Sequence, residues 1–337
     1  METAQWRAGR AMQFYPKADA VDAPSGALAD APDADVVLEA CRRSGIEIVS
    51  VEPVHPGGTF HALFRGVDCR GHSVVVKCGL TESTRASLAI EAELSDVLAG
   101  ADVPHARVLS ADVTSGYAPF PFMIMSALDG EPLTTFDGDD ARLSRVFGPY
   151  AFALRQTHSV QGNGFGLLSG VESSFPQAAS MQWWGYVRSR LGDHCSILVA
   201  GGVITEWERD SILSVFEQVP KELASGLAPR LLHGDCGMHN AVYDGRAVAL
   251  IDWEDAVLGD PLFEVAGWAT FQPRRRWDAF FRSYFGHDWI PGPLFWIYFL
   301  RIALAKQVVR LRFGYQDRPG RTPAVERIFT ALDHLVP

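Results

Sequence analysis

Lysine is scarce in this chain of 337 residues: it stands only at 17, 77, 221 and 306, and the other basic residues are arginine. Acidic residues outnumber basic ones and set a formal charge of −10. That balance argues against non-specific nucleic-acid binding and mildly favours cationic partners. The five cysteines (41, 69, 78, 195 and 236) form no C-x-x-C pair and leave one over if paired, so a reduced compartment is expected. No signal-peptide core follows the N-terminus, and the longest apolar stretch, PLFWIYFLRIALA, is broken by Arg301 and too short to span a bilayer. No internal repeat and no G-x-G-x-x-G loop occur. The expectation is a cytoplasmic globular protein with no nucleic-acid or membrane partner, a monomer or homodimer.

Residues 1–33 are rich in Ala, Asp, Pro and Gly and read as an extension. DVVLEACRRSG predicts a short helix stopped at Gly45. IEIVSVEPV, TFHALFRGV and SVVVKCG, separated by turns, predict an antiparallel meander. STRASLAIEAELSDVLAG follows as an amphipathic helix with an apolar stripe at Ile90, Leu94, Val97 and Leu98, and PFMIMSAL reads as a buried strand. Beyond about residue 138 the pattern is mostly helical, with MQWWGYVRSRLGDHCSILVA among the expected helices. The reading is α+β: a small β-rich lobe over 34–128 and a large helical lobe over 129–337.

One stretch breaks the helical pattern, LLHGDCGMHNAVYDGRAVALIDWEDAVLGDP over 231–261. Two apolar runs, one before His233 and one at 247–251, lead into Asp235 and Asp252, with Asn240 between. Buried carboxylates are costly unless something positive meets them. Asp244-Gly245 supplies a turn that can fold the two runs into a hairpin and return Asp252 to Asn240. Oxygen ligands converging there suit a hard cation such as Mg²⁺, shared with phosphate. Lys77, ending a buried strand, also calls for a charged partner. A lysine facing solvent from an edge strand is the plainer alternative.

HGDCGMHN with IDWE resembles the H-G-D-x-x-x-x-N and I-D signature of the aminoglycoside phosphotransferase and choline kinase group, relatives of protein kinases. GFGLLSG, IDWEDAVLGD and YFLRIALAK are nearest to hygromycin phosphotransferases. The resemblance runs from about residue 50 to the C-terminus and implies a protein-kinase-like bilobal fold. It implies that Asp235 orients and deprotonates the attacking hydroxyl, while Asn240 and Asp252 hold Mg²⁺. Lys77 would contact nucleotide phosphates and pair with a helix glutamate. Periodicity leaves Glu91 and Glu93 open, and the family spacing selects Glu91. Met125, Ser126 and Leu128 would form the hinge for the purine of ATP or GTP. HPGGTFHALF sits at the phosphate-loop position, where Gly58 and Thr59 are candidate contacts and a plain hairpin turn is the alternative. His233 is expected to pack inside the loop, and Asp260 to brace it; Glu264 stands where the family has aspartate.

For the acceptor, Trp253 has the best positional claim to the cleft, and Glu254 and Asp255 are candidates to attract ammonium groups. The function expected is phosphorylation of a hydroxyl on a small-molecule antibiotic of aminoglycoside, hygromycin-like or nucleoside type. The alternatives are a kinase for choline, homoserine or a sugar, and a non-catalytic nucleotide-binding module.

Overall fold

The β-branched runs form the strands β1 (Ile48–Pro53), β2 (His61–Asp68) and β3 (Ser73–Gly79), an antiparallel meander. With β4 (Val108–Asp112) and β5 (Phe122–Ser126) they make a five-stranded sheet of order β1-β2-β3-β5-β4. The computed structural model describes residues 31–54, 61–80, 82–114, 116–180, 182–219, 226–317 and 322–336. The expectations for residues 1–30 and for Gly58 and Thr59 lie outside these. In the register, Lys77 stands opposite Leu63 on one side and Met123 on the other. β3 is thus an inner strand, and Lys77 is no edge residue.

Helix α1 (Ala34–Arg43) lays Val37, Ala40 and Cys41 into the core of this sheet. Helix α2 (Glu82–Gly100) does something different with its apolar stripe. Ile90, Leu94, Val97 and Leu98 are buried in the core of the helical lobe. One helix therefore joins the sheet that carries Lys77 to the lobe that carries Asp235.

The helical lobe opens with β6 (Glu131–Pro132) and α3 (Asp140–Ser159). GFGLLSG is a strand: β7 (Phe165–Glu172) makes a hairpin with β8 (Phe175–Ser180). Its turn residues Ser173 and Ser174 both have positive φ, 51° and 65°, a geometry usually marked by Asn or Gly. The long Trp-rich segment is two helices, α4 (Trp183–Arg188) and α5 (Leu191–Ala200). Buried Arg301 explains the break. Its guanidinium donates to Val187 O (2.8 Å) and Ser189 O (2.7 Å), so these carbonyls are satisfied without a continuing helix. Helix α6 (Glu206–Glu217) starts in a capping box built by Thr205 and Glu208.

The quoted stretch folds into four short strands: β9 (Arg230–Leu232), β10 (Ala241–Tyr243), β11 (Val248–Leu250) and β12 (Val257–Gly259). The hairpin across Asp244-Gly245 pairs β10 with β11, so its first arm follows Asn240 and is not the run before His233. That earlier run, β9, pairs with β12. Three helices then close the lobe's apolar core, α7 (Pro261–Phe271), α8 (Trp277–Phe285) and α9 (Pro293–Phe313), and α10 (Ala324–Leu335) packs on α9.

Candidate active site

Strand β9 ends at Leu232, and the chain turns sharply at Gly234, where φ is 83°. A Cβ there would stand 1.8 Å from Asp255 O, so only glycine fits. Glu264 on α7 holds the turn from below. Its carboxylate accepts from the backbone N–H of His233 (3.0 Å) and of Gly234 (2.8 Å), and lies 2.8 Å from His158 Nε2. Burial opposes ionisation of Glu264, but the His158 and backbone hydrogen bonds outweigh it and hold the carboxyl below its usual range. Asp260 caps α7 by accepting from Leu262 N–H, and Tyr298 donates to its other oxygen.

These supports fix Asp235, which is 8% exposed. Asn240 Nδ2 donates to Asp235 O (2.9 Å), and its second contact is to Oδ2 (3.4 Å). His239 Nε2 lies 3.3 Å from the same Oδ2. His233 is wholly buried, with Nε2 2.8 Å from Ile251 O and its ring against Trp253. Ile251 N–H donates to Asn240 O at 3.0 Å, which ties the residue before Asp252 to Asn240.

Asp252 adopts φ 67°, an uncommon conformation for aspartate that turns it out of the path of β11. Its Oδ1 accepts from Lys77 Nζ at 2.5 Å. Lys77 donates also to Glu91 Oε2 at 2.8 Å, and Glu91 Oε1 accepts from Trp253 N–H at 3.3 Å. Burial disfavours the Lys77 charge, yet Asp252, Glu91 and Glu254 together hold it well above the ordinary lysine range. Glu93 faces elsewhere and accepts from Val171 N–H.

Glu254 lies 4.0 Å from Lys77 Nζ and 3.5 Å from His61 Nε2. Trp253 is 3% exposed and donates to Leu250 O. Asp255 is buried beside Gly234. Met125 and Ser126 end β5 next to the connector that holds Leu128.

Among the described residues no group of three His, Cys, Asp or Glu is arranged to hold a metal. The donors present are oxygens: Asp252 is 34% exposed at its side chain, and Asn240 commits its amide nitrogen to Asp235, which leaves the amide oxygen available. Such a set fits a hard cation that takes its remaining ligands from phosphate and water.

Two contributors escaped the sequence reading. His158, 106 positions before Glu264, carried no local signal. Tyr150, also on α3, donates its hydroxyl to Cys236 O and was hidden within a helical repeat.

The family model described as "APH: Phosphotransferase enzyme family" matches residues 50–298. No curated protein matches the sequence. Several solved structures share the fold. A thermostable mutant of aminoglycoside phosphotransferase APH(4)-Ia, in ternary complex with ADP and hygromycin B, aligns at TM-score 0.64 and 18% identity, over 88% of this chain and 97% of that one. Macrolide 2'-phosphotransferase MphH from Brachybacterium faecium aligns at 0.59 and 15%, over 90% and 98%. Choline kinase LicA from Streptococcus pneumoniae aligns at 0.58 and 14%, over 89% and 98%. With its sheet lobe, its helical lobe and this site between them, the chain belongs to the phosphotransferase enzyme family.

Proposed function

We propose that the protein is a nucleotide- and Mg²⁺-dependent O-phosphotransferase whose acceptor is a small-molecule antibiotic. The observation that carries this is the meeting of Lys77, Glu91 and Asp252 within hydrogen-bond distance, in the loop that Ile251 ties to Asn240. In this reading Asp235 orients the acceptor hydroxyl and takes its proton, with Asn240 and His239 fixing the carboxylate. Asn240 and Asp252 would hold Mg²⁺, which when bound neutralises phosphate charge. Lys77 binds the phosphates of ATP or GTP, and Glu91 keeps it in place. Met125, Ser126 and Leu128 form the purine edge of the cleft. Glu254, beside Lys77 and His61, belongs to the phosphate side, while Asp255 and Trp253 support the loop near the acceptor.

Positioning and charge neutralisation carry most of phosphoryl transfer, so fixed groups matter more than new bonds to protein. Antibiotic acceptors are favoured by the likeness to the APH(4)-Ia and MphH structures, and the choline kinase likeness keeps a metabolite acceptor as the second reading. The test is transfer from labelled ATP or GTP to a panel of antibiotics, choline, homoserine and sugars. Asp235→Ala should lose about 10²- to 10⁴-fold in kcat with folding intact. Near-normal turnover in that variant would end the reading.

A further inference from the structure

His239 stands beside Asp235 with a side chain 46% exposed, against 10% for Asp235 itself. An imidazole with that much room would leave a single contact readily, because holding it still costs rotamer freedom. Its Nε2 nevertheless lies 3.3 Å from Asp235 Oδ2, and since a carboxylate only accepts, Nε2 carries the hydrogen. Asn240 reaches the same oxygen at 3.4 Å, but its Nδ2 also donates to Asp235 O at 2.9 Å and is divided between the two. The orientation of the carboxylate therefore depends on where the His239 ring is held.

Two residues hold it. The first is Gly237, whose φ of −71° suits any residue, so the backbone does not call for glycine there. Space does. A Cβ on Gly237 would stand 2.2 Å from His239 Cε1 and 2.4 Å from Nδ1. The second is Phe271, the last residue of α7, whose ring meets that of His239 in a T-shaped contact at 5.7 Å and 67°. Phe271 is anchored in turn. Lys306 on α9, buried, places Nζ 2.9 Å from the centroid of the Phe271 ring and donates to the neighbouring Thr270 Oγ1 at 2.7 Å. Charged or neutral, the amine has N–H to offer the π face. Helix α7 thus supports the loop twice, through Glu264 in its first turn and through Phe271 at its end.

We propose that Gly237 and Phe271 are positioning residues of the transfer step that act on Asp235 through His239: they seat the imidazole where its N–H takes Oδ2, and so fix the direction in which the carboxylate meets the acceptor hydroxyl. The inference rests on the reading in which Asp235 takes the proton of that hydroxyl. A carboxylate able to turn about its Cβ–Cγ bond spends less time in the attack geometry, which lowers kcat and leaves nucleotide binding alone.

Two measurements test this. The first is ADP release from Mg²⁺-ATP, with water as acceptor and with each hydroxyl compound found to serve as one. His239→Ala should lower kcat about 10-fold with KM for ATP unchanged, and His239→Gln, whose Nε2–H can reach Oδ2, should recover most of the loss. Gly237→Ala should match His239→Ala, because the ring swings away and the backbone stays. Phe271→Leu, or Phe271→Met if the first variant does not fold, should lose about 3- to 10-fold. In the His239→Ala background neither change should lower kcat further. A full additional loss there, or no recovery with glutamine, overturns the proposal. Asp235→Ala separates the two layers: if it turns over normally, the phosphotransferase reading falls and the proposal with it, whereas an inactive Asp235→Ala beside an unimpaired His239→Ala overturns the proposal alone. The second measurement needs no turnover. Diethyl pyrocarbonate attacks the imidazole nitrogen that bears no hydrogen, here Nδ1, which lies against Gly237. Peptide mass spectrometry should find His239 modified slowly in wild type and several-fold faster in Gly237→Ala and Phe271→Leu. Equal rates in the three proteins would mean that the ring has no seat, and the proposal fails.

Discussion

Lys77 and Asp252, 175 positions apart in the chain, meet at 2.5 Å. Lys77 has a second carboxylate, and the two differ in freedom. Glu91 is 5% exposed and pinned by Trp253 N–H, whereas Asp252 is 34% exposed and stands at the mouth of the loop. Glu91 is the fixed partner. Asp252 is the one whose oxygens can be shared with a cation.

Asp252→Asn should therefore cost activity without costing the fold. Lys77 keeps Glu91, so the melting temperature should stay within a few degrees of wild type. Turnover should fall by roughly 10²-fold or more, as expected when charge stabilisation at the phosphates is lost. EDTA should abolish transfer by wild type and added Mg²⁺ restore it, while excess Mg²⁺ should fail to rescue the variant. Full rescue by Mg²⁺ would remove Asp252 from the cation site.

Glu91→Ala should behave in the opposite way. It strips a buried ammonium of its anchored partner, a change that costs about 3–5 kcal/mol in buried pairs. Urea unfolding should record that loss. The double variant Lys77→Met/Glu91→Ala should be less destabilised than the two single losses added together, because neither member of the Lys77–Glu91 pair is left buried without the other. Strict additivity would mean that the pair contributes no coupling.

The contrast between these two carboxylates was only half legible in the sequence. Strand alternation and the spacing of HGDCGMHN and IDWE marked Lys77, Asp235 and Asp252, because each follows a short apolar run that cannot carry charge without a reason, and Asn240 by its place between the two aspartates. The choice between Glu91 and Glu93 turned on the helix's orientation, which periodicity does not set; Glu93 accepts from Val171 N–H instead. The β7–β8 hairpin escaped because Ser173 and Ser174 take the positive-φ positions with no glycine or asparagine to announce them. The break before α5 depended on Arg301, more than 100 positions away. Local chemistry was readable. Long-range polar partners were not.

Gly234→Ala should be severe. The added Cβ would fall 1.8 Å from Asp255 O, and φ 83° is itself strained for alanine by about 1–3 kcal/mol. The loop must shift, and Asp235 follows it. A melting temperature several degrees lower and transfer close to background are expected. Gly245→Ala offers the control: its φ is 94°, yet no atom lies within 4 Å of the added Cβ. That variant should pay the backbone strain alone and keep most of its activity.

Glu264 gives the loop a pH limit whose direction can be worked out. Its carboxyl is held below the ordinary value of 4.5 in the folded protein, so the unfolded chain binds its proton first as pH falls. The stabilisation is complete above about pH 4.5 and is lost as pH drops through the folded value. Glu264→Gln lacks that carboxylate, and its amide can accept from only one of His233 N–H and Gly234 N–H through its oxygen, turning an NH₂ toward the other. Denaturant unfolding should show wild type more stable than the variant at pH 6, with the gap narrowing as pH falls from 4.5 toward 3. At neutral pH the variant should lose roughly 10- to 100-fold in kcat under the role proposed for Asp235, since the turn that carries it loses part of its support. A gap that stays constant down to pH 3 would show that Glu264 acts through its shape and not its charge, and any charge-independent brace from α3 would then rest on Tyr150, whose hydroxyl donates to Cys236 O.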